Sequence, residues 1–166
     1  MESLVNWYQS TLGGFLPKEV FCFLVSMLPV IELRGGLIAA SLLQIPLLKA
    51  NIICILGNML PIPFILLFIR RIFAWLREHH LLTGFVNWLE RRAMRKSKGV
   101  EKGEFWFLLF FTGIPLPGTG GWTGSIIASL LELDIKKAII AVFLGILLAA
   151  ILMDIISYGL LAGIVS

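Results

Sequence analysis

Charge is scarce in this chain. Asp, Glu, Lys and Arg make up 14% of the 166 residues, hydrophobic types make up 58%, and mean hydropathy is +0.95. A soluble domain carries about a quarter of its residues charged, so the solvent this composition fits is lipid. Cysteine and histidine are scarce too. Cys22 and Cys54 both lie inside apolar blocks and read as small buried hydrophobes, not as a disulfide or a metal pair. His79 and His80 are adjacent, so on a helix they point to different faces, and no cysteine stands near them. No metal and no cofactor is expected. Ser/His/Asp sets and helically spaced carboxylate pairs are missing as well, so the chain does not read as an enzyme. Residues 1–19 carry Glu2 and Glu19 and lack a basic start followed by an apolar core, so no removable signal is expected.

What is present is a series of long apolar blocks: Val20–Ile31, Gly35–Leu48, Ala50–Ile69, Phe105–Leu131, Ala138–Met153 and Ile155–Val165. A spanning helix needs about 20 apolar residues. The first two blocks have 12 and 14, so neither spans alone. Such a pair reads as one span with charges at its centre or as a re-entrant hairpin whose tip reaches the midplane. The Pro and Gly at the break favour the hairpin, because freed backbone must be buried in protein or line a wet cavity.

The basic residues are unevenly placed. Nine of the fourteen Lys and Arg lie between Arg70 and Lys102. By the positive-inside rule this loop faces the cytoplasm, and nucleic acid is not an expected partner. Residues 3–16 and 82–95 each place apolar side chains on one face and carry a tryptophan, Trp7 and Trp88. That is the pattern of helices lying flat in the interface.

Sliding the chain against itself by 88 residues reveals a repeat. Leu28-Pro29 meets Leu116-Pro117, Gly36 meets Gly124, Ala40–Leu43 meets Ala128–Leu131, Lys49-Ala50 meets Lys137-Ala138, and Leu56-Gly57 meets Leu144-Gly145. The expected fold is therefore an all-α integral membrane protein of two inverted repeats. Each repeat is a re-entrant helical hairpin followed by a transmembrane helix, with interfacial amphipathic helices added. The single membrane domain divides into an interfacial helix (1–17), repeat one (18–76), a basic cytoplasmic segment (77–103) and repeat two (104–166). Pro29, Gly35 and Gly36 mark one hairpin tip, and Pro115, Pro117 and Gly118 mark the other. Inverted repeats with broken helices meeting at mid-membrane are typical of secondary transporters.

Glu32 and Arg34 are ionisable groups at the centre of an apolar stretch, each costing on the order of 2.5–3.5 kcal/mol on insertion scales. Arg34 offers an anion a planar fork of donors. Glu32 would orient it or carry a coupling proton; the competing reading is a purely structural Glu–Arg pair. The second break offers backbone donors and hydroxyls at Thr119, Gly120, Gly121, Trp122 and Thr123, just before an apolar helical run. Tight packing through small residues is the alternative there. Asp154 lies roughly 25 Å along a helix from Lys137. Pairing with Arg34, lining an exit and carrying a proton are the roles open to it. Asn58, between Gly57 and Pro61, marks a kink or an interhelical hydrogen bond.

The stretches Pro29–Gly36 (PVIELRGG) and Ile114–Gly124 (IPLPGTGGWTG) resemble the bacterial and archaeal family named putative small multidrug export proteins. The resemblance covers nearly the whole chain. It departs at Leu37-Ile38, where the family often carries a further proline. The family name implies drug efflux. The plan also resembles that of DedA-like membrane proteins, which are associated with lipid handling; this is analogy of architecture. Together these features lead us to expect a proton-coupled secondary transporter in the plasma (inner) membrane for an amphiphile with an anionic head, such as a lipid or polyprenyl phosphate. Glu32 and Asp154 would carry the protons. The alternatives are export of cationic or hydrophobic drugs and a non-transporting scaffold. Membrane lipids and the amphiphile are the expected partners, and a homodimer would help so few spans enclose a site.

Overall fold

The computed structural model describes residues 2–13, 15–79, 84, 103–116, 118–131 and 133–160. The segment 82–95 apart from Gly84, most of the basic loop, His80 and Pro117 lie outside the described residues. Among the described residues the fold is all-helical: α1 Glu2–Thr11, α2 Lys18–Met27, α3 Glu32–Leu42, α4 Leu47–Met59, α5 Pro61–Glu78, α6 Glu104–Gly113, α7 Gly121–Leu130 and α8 Ile135–Asp154, with a π-helical turn at Ile155–Leu160. Among the described residues two stretches are long and apolar enough to cross a membrane, Leu47–Ile69 (23 residues) and Ile135–Gly159 (25 residues).

Proline places most of the breaks. Leu28 precedes Pro29 and Ile114 precedes Pro115; both are extended, with ψ 136° and 123°, which ends α2 and α6. Pro17 and Pro46, with ψ 140° and 138°, start α2 and α4 afresh. Asp134 caps α8 by accepting the Lys137 N–H at 3.0 Å. At Leu60 the backbone stays helical (φ −56°, ψ −46°), and Pro61 begins α5. Proline is tolerated at a helix's first position, so the expected kink beside Asn58 becomes a one-residue joint inside one apolar run.

The feet of α2 and α3 meet. Lys18 Nζ donates to the Leu43 carbonyl at 3.1 Å, and Glu19 pairs with Lys49 at 2.7 Å. The turn between these helices therefore lies a helix length away, about 16 Å for the 11 residues from Glu32 to Leu42. Gly35 and Gly36, expected at the tip, sit within the first turns of α3 instead.

The second half repeats the first with one correction to the register. From α3 onward the features recur 88 residues later. The caps Leu43 (ψ 6°) and Leu131 (ψ 1°) match. So do the bonds Ile45 N–H to Ala40 O and Leu133 N–H to Ala128 O. Helices α4 and α8 begin at Leu47 and Ile135. But α2 (Lys18–Met27) recurs as α6 (Glu104–Gly113), 86 residues later. Leu28-Pro29 therefore corresponds to Ile114-Pro115, not to Leu116-Pro117. The second tip is two residues longer.

Packing repeats in the same registers. A Cβ on Gly57 would meet the Phe23 carbonyl oxygen at 2.5 Å, and one on Gly145 the Leu109 carbonyl oxygen at 2.7 Å. A Cβ on Gly36 would meet Ser26 Oγ at 1.9 Å, and one on Gly124 Thr112 Oγ1 at 2.6 Å. In lipid there is little hydrophobic force between helices, so close approach through small residues supplies the contact. One stripe of large apolar side chains along α4, Leu60 and α5 turns outward: Leu48, Ile52, Leu56, Leu60, Phe64 and Leu67 are all exposed, while Ile62, Ile65 and Leu66 are buried.

Candidate functional site

The two tips meet, and the first turn of α3 makes the junction. Ile31 is the last residue of the turn (φ −90°, ψ −48°), and Glu32 opens α3 with φ +53°, a left-handed conformation uncommon for a residue with a side chain. This geometry aims the Glu32 carboxylate at the start of α7. Its Oε1 accepts the Trp122 N–H at 3.1 Å, and the neighbouring Gly121 N–H faces the same group. Gly120, at φ +139°, makes the approach possible: a Cβ there would stand 1.9 Å from Glu32 Oε2. Glu32 is 5% exposed. A buried carboxylate on the unsatisfied N–H groups and positive dipole end of a helix is the expected stable arrangement.

Arg34 reaches across as well, to the loop of the second tip. Nη1 donates to the Leu116 carbonyl at 2.5 Å; Nη2 donates to the Ile114 carbonyl and to Thr119 Oγ1, each at 3.0 Å. Thr119 Oγ1 lies 2.8 Å from both carbonyls and donates its single proton to one of them. Trp122 returns the contact from α7, its indole N–H donating to the Met27 carbonyl at 3.1 Å. Glu32 and Arg34 therefore form no ion pair with each other. Each serves the opposite half, so the purely structural Glu–Arg pair is not what the structure contains.

The predicted residues Glu32, Arg34, Thr119, Gly120, Gly121 and Trp122 come together. Thr123 is half-buried in the first turn of α7. Asp154 does not join them. It stands at the end of α8 with both carboxylate oxygens taken by the Asn51 amide, at 3.0 and 2.9 Å. It pairs with Asn51 and not with Arg34. Gly118 has φ +79° with open space around it.

Two contributors carry little sequence signal. Carbonyls of Met27, Ile114 and Leu116 are acceptors that any residue supplies. Asn58 was legible only as an amide in an apolar run. It is 2% exposed, its Nδ2 lies 3.6 Å from the Cβ position of Gly121, and its Oδ1 has no partner. Asn51 and Asn58 are seven residues apart, so both amides lie on one face of α4.

A family model described as putative small multi-drug export protein matches residues 32–152, from the start of α3 almost to the end of α8. No curated protein and no solved structure matches the chain. The match takes in Glu32, Arg34, the second tip and most of both long apolar stretches, and the chain belongs to this family of small multi-drug export proteins of the membrane.

Proposed function

We propose that the chain is a secondary transporter that moves an amphiphile with an anionic head, such as a lipid phosphate, by alternating access with proton coupling. The observation that carries this is the buried Glu32 carboxylate on the N-terminus of α7. The protein thus has, deep among its helices, a place built for an anionic oxygen pair. The Gly121 and Trp122 N–H groups would hold the head, with the hydroxyls of Thr119 and Thr123 beside it. Arg34 joins when the tips part, since its fork is engaged by the second tip while they touch. Glu32 carries the coupled proton, and Asp154 is a second carrier nearer the other end of α8.

Inverted repeats supply the alternation. The backbone recurrence at 86 and 88 residues and the meeting feet of α2 and α3 support two re-entrant hairpins, each followed by a span. The chain is then multi-pass in the plasma membrane with residues 77–103 in the cytoplasm. The arrangement is analogous to that of DedA-like proteins. Exposed apolar side chains along the spans meet lipid, and a homodimer would widen the enclosure.

The family description favours a second reading, export of cationic or hydrophobic drugs, with Glu32 or Asp154 as the ligand. Transport into proteoliposomes separates the two. Under the anionic reading Arg34→Ala and Glu32→Gln both abolish transport of a labelled lipid phosphate. Wild-type rates in both contradict it. Drug resistance lost with Glu32→Gln but kept with Arg34→Ala supports the second.

A further inference from the structure

The α7 N-terminus is already occupied by a ligand of the protein's own. Glu32 supplies a carboxylate, is held at φ +53° to do so, and fills the space left by the missing Cβ of Gly120. A substrate head and Glu32 cannot use the same N–H groups together.

A second observation bears on what replaces it. Asn58 borders Gly121 from α4, is buried, and leaves Oδ1 without a partner. An unmet buried acceptor is costly, so a ligand that brings a donor gains by meeting it. A carboxylate has none. A phosphate group does, because in its acid form it combines anionic oxygens with a P–OH.

We propose that Glu32 is a tethered competitor for the substrate's head, and that the head displacing it is a phosphate whose anionic oxygens take the Gly121 and Trp122 N–H groups while its hydroxyl donates to Asn58 Oδ1. This rests on the anion-site reading above. Its consequence is that the touching tips are the self-liganded state. Head binding frees the α3 turn from the second tip, so occupancy and opening are one event. Glu32 returns when the head leaves. A ligand shifts such an equilibrium only by its differential affinity for the two states; the competition supplies that difference.

The test uses the full chain in detergent, with inorganic phosphate and sulfate as probes, reading ligand-induced Tm shifts and affinity by calorimetry. Glu32→Ala and Glu32→Asp should each bind phosphate at least about tenfold more tightly than wild type, since about 1.4 kcal/mol of competition is tenfold. The aspartate variant matters because it keeps the charge but is one methylene too short to reach α7. Simple relief of repulsion would tighten only the alanine variant. Phosphate should bind better than sulfate, and Asn58→Leu should erase that preference. Phosphate binding unchanged or weaker in both Glu32 variants overturns the competition while leaving the anion site standing. Equal binding of phosphate and sulfate overturns the role of Asn58. Binding of neither anion by any variant overturns the site itself and this proposal with it.

Discussion

The Glu32 carboxylate accepts the backbone N–H of Trp122 at 3.1 Å across 90 residues of chain. Because α3 and α7 are counterparts in the two halves, this one bond joins tip to tip. Gly120, the residue 88 positions after Glu32, lies directly against it.

Gly120 therefore has no tolerant substitution. An alanine there meets Glu32 Oε2 at 1.9 Å and must also adopt φ +139°. Backbone strain of this kind costs on the order of 1–3 kcal/mol. Gly120→Ala should lower Tm in detergent, and Glu32→Ala in the same chain should recover part of the loss. The clash is then removed and only the strain remains, so the two changes will not add.

Arg34 should resist its usual conservative replacement. Its two terminal nitrogens serve two carbonyls and a hydroxyl at once. A lysine ammonium is a point donor on a flexible stem and cannot reproduce the fork. Arg34→Lys should behave much like Arg34→Ala in thermal unfolding, each losing on the order of 2–3 kcal/mol. A lysine variant with wild-type Tm would show that charge alone, not the fork, holds the second tip.

The glycines of the two halves should fail in parallel. Gly57→Ala and Gly145→Ala each drive a methyl into a backbone carbonyl, at 2.5 and 2.7 Å. Overpacking of this kind costs about 1–3 kcal/mol. Gly159→Ala, with nothing within 4 Å, should be silent. Unfolding in a fixed detergent compares the three.

The Glu19–Lys49 pair should matter only weakly, and its contribution should vanish at acid pH. Glu19 lies outside both spans, and the Lys49 ammonium at the foot of the first span holds its carboxyl below the usual carboxylate range. A carboxyl lowered on folding adds stability above its unfolded pKa and loses it as pH falls through the folded value. Tm of wild type should therefore converge on that of Glu19→Gln as pH drops below about 4. The small gap at neutral pH should shrink with salt.

Much of this fold was readable from Pro and Gly placement. Pro29 and Pro115 end their helices as expected, and Glu32 and Arg34 stand out as charges in apolar surroundings. The register was not fully readable. A two-residue insertion inside Pro115–Gly120 hides in a run of Pro and Gly, so a single offset of 88 matched Pro29 to the wrong proline. The partners of Arg34 were not readable either, because backbone carbonyls leave no mark on composition. Asn51 and Asn58 could have been flagged together, as the two amides of one apolar helix on one face.

Under the proposed function the two paired-helix units enter from opposite faces of the membrane and meet at their tips. Cysteine labelling in intact cells tests it most directly, in a chain with Cys22 and Cys54 replaced by alanine. The exposed positions Lys49 and Lys136 mark the feet of the two units. Lys49→Cys should react with an impermeant maleimide from outside, and Lys136→Cys only after the cytoplasmic face is opened. Labelling of both from the same side would contradict the claim.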